Sequence, residues 1–532
     1  MNISNTRSPL FVTTLLFVIL PLQATLLPMF SQPLPLPPTP LSPLQTTPLI
    51  SAPFTPTVSG AMQGPINPTN KTLQTEPIDS LDISVSSSSA RSASSSSASS
   101  AARSKASSAT HRTIRRDTYH DRLQGFWLGT SIANWTGLVT EMDKIGGAGA
   151  PDNTIPSTGP FYTRHDWGAP DQPSIWGEGQ PSALSPTIDF VYAAADSIWG
   201  ADDDTDIEYM YQELLLRNET SILSGEQIRD GWLRHIRPDE ENYLWVANQR
   251  AFDLMNEGVV PPATGDPRNN PEYEMIDAQL TTEIFGLFAP GRPDIAQRMA
   301  ELPIRTVARH DSEWIAQFYV MMFSLAAGEE HAANPLKNQL FAIADQAKTR
   351  LPQNSYPRSM YDFVQSKYEQ GIPWEQARDS VYVRYQVEGR DGYDLTSRNL
   401  YCNGCFAAGI NFAASLISLF YGEGDLLQTI RIGTLAGWDS DNPTATWGGL
   451  IGFMLGKNTL TETFETELPG VQFSNRFHIH RTRTGFENNG IDTFENMADK
   501  GLRVVDRVVR EEMNGRVDLE NNVWIIPEGE LW

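Results

Sequence analysis

Apolar side chains recur at Ile207, Met210, Tyr211, Leu214 and Leu215, the i, i+3, i+4, i+7, i+8 spacing of an amphipathic helix. A second run, from about Phe406 to Phe420, is apolar nearly all round and predicts a helix at the centre of the core. A third helix is predicted through about Leu455, with Asn442 as N-cap and Pro443 at its first position. It carries Gly448, Gly449 and Gly452, with Gly456 just beyond. Glycines weaken a helix, so this face predicts close backbone approach to a neighbour. Small residues at Gly125, Gly129 and Ala133 mark another helical stretch, which runs into a turn at Gly137. Strand-like runs are few, the clearest being Val523-Trp524-Ile525-Ile526. From about Thr118 onward the chain reads as mostly α-helical, with one large core and no internal repeat.

Upstream the pattern changes. Arg7 precedes an apolar run from Leu10 to Leu22, too short for a membrane span, and Ala24 fits a cleavage position. Residues 1–24 therefore read as a signal peptide and the product as secreted, with no stable membrane contact after removal. A signal anchor is the alternative, although Pro21 interrupts the run. Residues 25–116 are rich in Pro, Thr and Leu and then in Ser, a composition that cannot offset ordering entropy. They are expected to be disordered, and a pro-region if the dibasic Arg115-Arg116 is a processing site. Residues 117–532 form the expected globular body. Sequons at Asn70 and Asn218 fit a glycoprotein, whereas a third at Asn134 falls in a core helix and reads as unused.

The 532 residues carry a formal charge of −24. Residues 1–116 hold eight Lys/Arg against three acids, a net of +5, which leaves −29 on the remainder. Such a body repels nucleic acid and anionic membrane. The two cysteines, Cys402 and Cys405, read as a local structural disulfide at a helix entrance, since no thioredoxin-like βαβ pattern surrounds them.

Two acidic clusters carry the chemistry. Gly200-Ala201-Asp202-Asp203-Asp204-Thr205-Asp206 and Gly437-Trp438-Asp439-Ser440-Asp441-Asn442-Pro443 each precede a helical pattern. Side by side, two such helix starts offer carboxylate and hydroxyl oxygens, the ligands of hard divalent cations such as magnesium. The competing readings are a helix cap with solvated acids for the first cluster and a calcium-like loop for the second. The second cluster, however, lacks EF-hand spacing. His478 and His480 share a strand face without further ligands nearby, and the segment Trp167 to Trp176 is either pocket lining or packing.

Together with Arg122, Gly125, Leu128, Gly129, Gly137 and Glu141, the clusters resemble the ADP-ribosylglycohydrolase family. Its opening pattern is R-x-x-G-x-x-L-G-x-x-x-G-D-A-L-G-x-P-x-E, and its metal motifs are T-D-D-T and G-G-D-T-D-T-N-A. The likeness spans about residues 119 to 460. It implies an all-α fold, a single large orthogonal helical bundle, with two Mg2+ ions (Mn2+ as the alternative). It further implies metal ligands at Asp202, Asp203, Asp204, Asp439, Asp441 and Asn442, with Glu141 as the catalytic acid or base. Asn134, Thr281 and Glu283 fall at positions expected to meet substrate. Three departures stand out: Asp202 and Asn442 replace threonines, and Asn134 replaces an aspartate. In addition, Thr281-Thr282-Glu283-Ile284-Phe285-Gly286-Leu287 replaces a glycine-rich loop that approaches ADP-ribose.

The expected reaction is hydrolysis at the anomeric carbon of ribose, in a small-molecule or ADP-ribosylated protein substrate. A nucleoside or nucleotide N-ribohydrolase, and a non-catalytic secreted protein stabilised by metal, are the alternatives. A monomer is the simplest expectation.

Overall fold

The computed structural model describes residues 111–528, apart from 147–158, 176–181, 183, 238–245, 330–335, 395–401, 403 and 480–483. The signal peptide, nearly all of the Pro/Ser-rich segment, Asn70, Trp176 and His480 lie outside the described residues.

The body is helical, as its periodicity predicts. Its organising contact is a crossing of two helices, Arg116–Gly137 and Asp441–Leu455. A Cβ built on Gly129 would overlap the carbonyl oxygen of Gly448, and one on Gly125 that of Gly452. The glycine-bearing face thus meets a second small-residue face, backbone against backbone. The apolar stretch after the cysteines forms the helix Ala408–Gly422, whose side chains are buried except at Tyr421. It packs on Leu426–Ala436 and beside Asp311–Ala327, which places it at the centre of the core. The helix Asp203–Arg217 carries the predicted apolar positions but also buries Asp204, Glu208 and Gln212, so its hidden face is wider than the pattern implied.

Among the described residues six short strands form two sheets: β1 (His111–Arg115), β2 (Trp199–Gly200), β3 (Arg476–His478), β4 (Ile491–Thr493), β5 (Arg516–Asp518) and β6 (Val523–Pro527). In the first sheet β6 lies between β1 and β5, antiparallel to both; His111 faces Pro527 and Arg115 faces Val523. In the second sheet β2 runs parallel to β3, and β3 is antiparallel to β4. Ala201 N–H donates to the His478 carbonyl at 3.1 Å, which fixes the chain just ahead of Asp202.

The strand His111–Arg115, ahead of the expected boundary at residue 117, is part of the described fold. Arg115-Arg116 does not lie in a flexible segment. Arg115 closes β1, and Arg116 opens the first helix with its guanidinium on Asp506 (3.0 and 2.8 Å) and Asn522 (3.0 Å). Five residues with two arginines carry too little apolar alternation to read as a strand; pairing with β6 supplies the order. Among the described residues no helix is long and apolar enough to cross a membrane.

Candidate metal centre and active site

The two acidic motifs converge. Ligand oxygens of Glu141, Asp439 and Asp441 lie within 4.8 Å of one another, as do those of Asp202, Asp204 and Asp441. Asp441 belongs to both groups and joins them. Asp202 is the N-cap of Asp203–Arg217, where its N–H donates to Thr205 Oγ1 at 3.1 Å. Asp441 opens its own helix after Ser440. Each helix start presents its positive end to the carboxylates, which favours negative charge there.

Asp439 sits on a turn unlike either helix. Gly437 and Trp438 both have left-handed φ, +98° and +58°. A non-glycine residue in that region costs about 1–3 kcal/mol. Here Trp438 is completely buried, its indole N–H donates to Gln386 Oε1 at 2.7 Å, and its ring lies 4.8 Å from that of Phe161. Its main chain binds the loop after the first helix: Trp438 N–H donates to the Lys144 carbonyl, and Met142 N–H donates to the Trp438 carbonyl, both at 2.8 Å. These two bonds bring Glu141 to Asp439.

Burial and mutual repulsion dominate the electrostatics. Asp204, Asp439 and Asp441 have their carboxyls pushed well above the ordinary range, first by burial and then by neighbouring acids. Glu141 and Asp439 raise Asp441, and Asp441 and Asp203 raise Asp204. Asp203 stands outside both triads but adds its charge to all three. Asp203 and Glu141 are only half-buried, so the open side of the cluster lies with them.

The donor set fits a hard divalent cation. Asp441 Oδ1 and Asn134 Oδ1 are buried with no hydrogen-bond partner, and every side chain of the two triads offers oxygen. Close carboxylates without a compensating cation repel strongly, a charge that a metal would offset.

Four expected site residues stand in surroundings that the sequence did not announce. Asn442 is not the N-cap; it lies in the first turn of Asp441–Leu455, which Ser440 caps. Its oxygen accepts from Gln279 Nε2 and its amide donates to Asp204 Oδ1, both at 3.0 Å, so it orients a cluster carboxylate. Asn134 Nδ2 donates to Asp202 Oδ2 (2.9 Å) and Asp441 Oδ2 (3.4 Å), which bridges the two motifs. Thr281 is buried, its hydroxyl bound to the Asp277 carbonyl at 2.8 Å. Glu283 is buried too, accepting from Thr446 Oγ1 (2.9 Å) and Thr282 N–H (3.2 Å) beside a second buried acid, Glu208. The physical reason is common to Thr281 and Glu283. Without the glycine-rich loop, residues 277–288 fold into two short packed helices, Asp277–Thr281 and Ile284–Phe288, that hide their polar groups.

Several supporting residues carried no sequence signal: Glu208, Gln279 and Asn411, whose Oδ1 accepts from the Asp439 N–H at 3.2 Å. Cys402 and Cys405 form the expected disulfide, at the entrance to Ala408–Gly422. His478 is held by the Asn489 carbonyl at 3.2 Å, and Trp167 packs edge-on against Phe190, so both read as structural. Asn218, in the second sequon, caps the end of Asp203–Arg217 with its amide on the Leu214 carbonyl at 2.8 Å.

A family model described as ADP-ribosylglycohydrolase matches residues 115–487, well over half of the sequence. The chain belongs to the ADP-ribosylglycohydrolase family. The glycine crossing and the convergent acidic helix starts are how this member builds the fold. Among solved structures, an ADP-ribosylglycohydrolase-related protein complex is similar at 15% identity and TM-score 0.38, over 73% of this chain and 98% of that one. No curated protein matches.

Proposed function

We propose that this ADP-ribosylglycohydrolase is a metal-dependent hydrolase that cleaves the glycosidic bond at the anomeric carbon of ribose in ADP-ribosyl conjugates. The observation that carries the reading is the joining of two carboxylate triads through Asp441 beside the half-buried Glu141. Asp202, Asp204, Asp439 and Asp441 would hold one or two Mg2+ ions, with Mn2+ as an alternative. A cation bound there supplies Lewis acidity toward sugar hydroxyls and water.

The chain's own groups do the rest. Asn134 and Asn442 orient the carboxylates through amide hydrogens. The negative field of the cluster favours the oxocarbenium-like charge that develops as the anomeric bond breaks. Glu141, the half-buried acid of its triad, takes a proton from the attacking water or gives one to the departing group. The Cys402–Cys405 bond supports export of the protein, since disulfides persist in oxidising compartments.

Incubation with ADP-ribosylated arginine, ADP-ribosylated serine, NAD and nucleosides tests the proposal. The expected result is chelator-sensitive release of ADP-ribose, with Glu141→Gln lowering kcat by about 10²–10⁴-fold. The packed segment around Glu283, which offers no glycine-rich approach to a pyrophosphate, favours a nucleoside N-ribohydrolase as the second reading. Turnover of nucleosides alone would establish that alternative. No turnover of any substrate, with metal bound, would leave a metal-stabilised binding protein.

A further inference from the structure

Asn411 lies in the first turn of Ala408–Gly422 and is fully buried. Its amide is engaged on both sides. Oδ1 accepts from the Asp439 N–H at 3.2 Å, and Nδ2 donates to the carbonyls of Cys405 (2.8 Å) and Ala407 (3.0 Å). Cys405 is tied in turn to Cys402 by the disulfide. The segment between is pinned as well: Ile276 N–H donates to the Phe406 carbonyl and Ala408 N–H to the Glu274 carbonyl, both at 3.0 Å.

Asp439 needs such an anchor. It follows two consecutive left-handed residues and precedes the helix that starts at Asp441, so no regular element fixes its main chain. A short covalent clasp, one buried amide and the backbone of a cluster carboxylate thus form one continuous chain of contacts. We infer that Asn411 is a positioning residue for Asp439 and that the Cys402–Cys405 clasp acts on the metal centre through it. The inference rests on the proposal that the cluster binds a divalent cation. Metal sites depend on the groups that orient their ligands, and loss of one commonly costs about 10–100-fold in affinity.

The test is calorimetric titration with Mg2+ and Mn2+ of the full chain, alongside melting temperature in EDTA as a control for folding. Asn411→Leu is expected to weaken binding by about 10–100-fold. Asn411→Asp keeps an oxygen toward the Asp439 N–H but gives up both amide hydrogens on the Cys405 and Ala407 carbonyls, so it should recover at most part of the loss and no longer respond to reduction. The pair Cys402→Ala/Cys405→Ala should weaken binding less, and joined to Asn411→Leu it should add nothing, because both act along one path. Reduction of the wild type by a dithiol should match the double-alanine variant. In that step the dithiol gives two electrons and two protons, leaves both cysteines as thiols, and becomes a disulfide itself.

Full metal affinity in folded Asn411→Leu would overturn the positioning role. If Asn411→Leu does not fold, Asn411→Ala decides that role: a loss of about 10–100-fold supports it, and full metal affinity overturns it. Unchanged affinity after complete reduction, or losses that add independently, would overturn the tie to the clasp. Failure of the wild type itself to take up either metal would instead sink the functional proposal, and this inference with it.

Discussion

The helices Arg116–Gly137 and Asp441–Leu455 meet differently at their two ends. Toward Gly125 and Gly452 the approach is made by backbone, each glycine lying against the other's carbonyl oxygen. About 18 Å along the axis, near Gly137 and Asp441, the same pair carries Asn134, Asp441 and the acids they gather. Close packing at one end leaves no room for adjustment; at the other, like charges are held at a separation they would not choose. The rigid end secures the repulsive one. A site that stores repulsion has to be built on elements that cannot drift apart.

Substitutions at each end should behave in opposite ways. The largest effect is expected at the glycine crossing. Gly129→Leu forces a side chain into the Gly448 carbonyl and should cost about 3 kcal/mol or more, read as loss of soluble protein or a large fall in urea midpoint. Wild-type stability in that variant would refute the tight crossing.

At the acidic end Asp441→Asn should leave the melting temperature in EDTA unchanged or higher, because it relieves repulsion with Glu141, Asp439 and Asp202. The same change should weaken Mg2+ binding by about 100-fold, ~3 kcal/mol. A lower melting temperature together with intact metal binding would reverse the assignment.

The smallest effect concerns acids packed behind the cluster. Burial pushes Glu283 and Asp277 up to about 7. The folded protein holds those protons more tightly than the unfolded chain, so their contribution is complete below the ordinary carboxyl range and falls as pH rises from about 4 to about 7. Glu283→Gln should flatten that decline by on the order of 2 kcal/mol, measured by urea unfolding in EDTA across the window. Parallel pH profiles for variant and wild type would rule it out.

Much of this was legible in the sequence. The acidic motifs stood out because several carboxylates at a helix start are unusual, and the glycines at 448, 449 and 452 announced a close approach. What escaped detection depends on contacts between distant segments. Glu208 lies in an amphipathic helix, where a lone glutamate reads as solvated; only tertiary packing buries it beside Glu283. Asn411 is one of a few polar residues in an apolar run, and its partners lie 4, 6 and 28 positions away. The displaced cap at Asn442 has a local cause: Asp441 already takes helical geometry, so the helix starts two residues before Pro443.

The pairing of β1 with β6 sets His111 directly opposite Pro527. Antiparallel partners stand only about 5 Å apart, so a linker of a few residues would join them. The described body can then be treated as a ring, cut open at an exposed surface turn such as the one near Gly371. In such a rearranged gene the stretch holding Asp439 and Asp441 would be translated before the one holding Asp202 and Asp204. The order in which the ribosome delivers the acidic motifs is thereby separable from the geometry in which they meet.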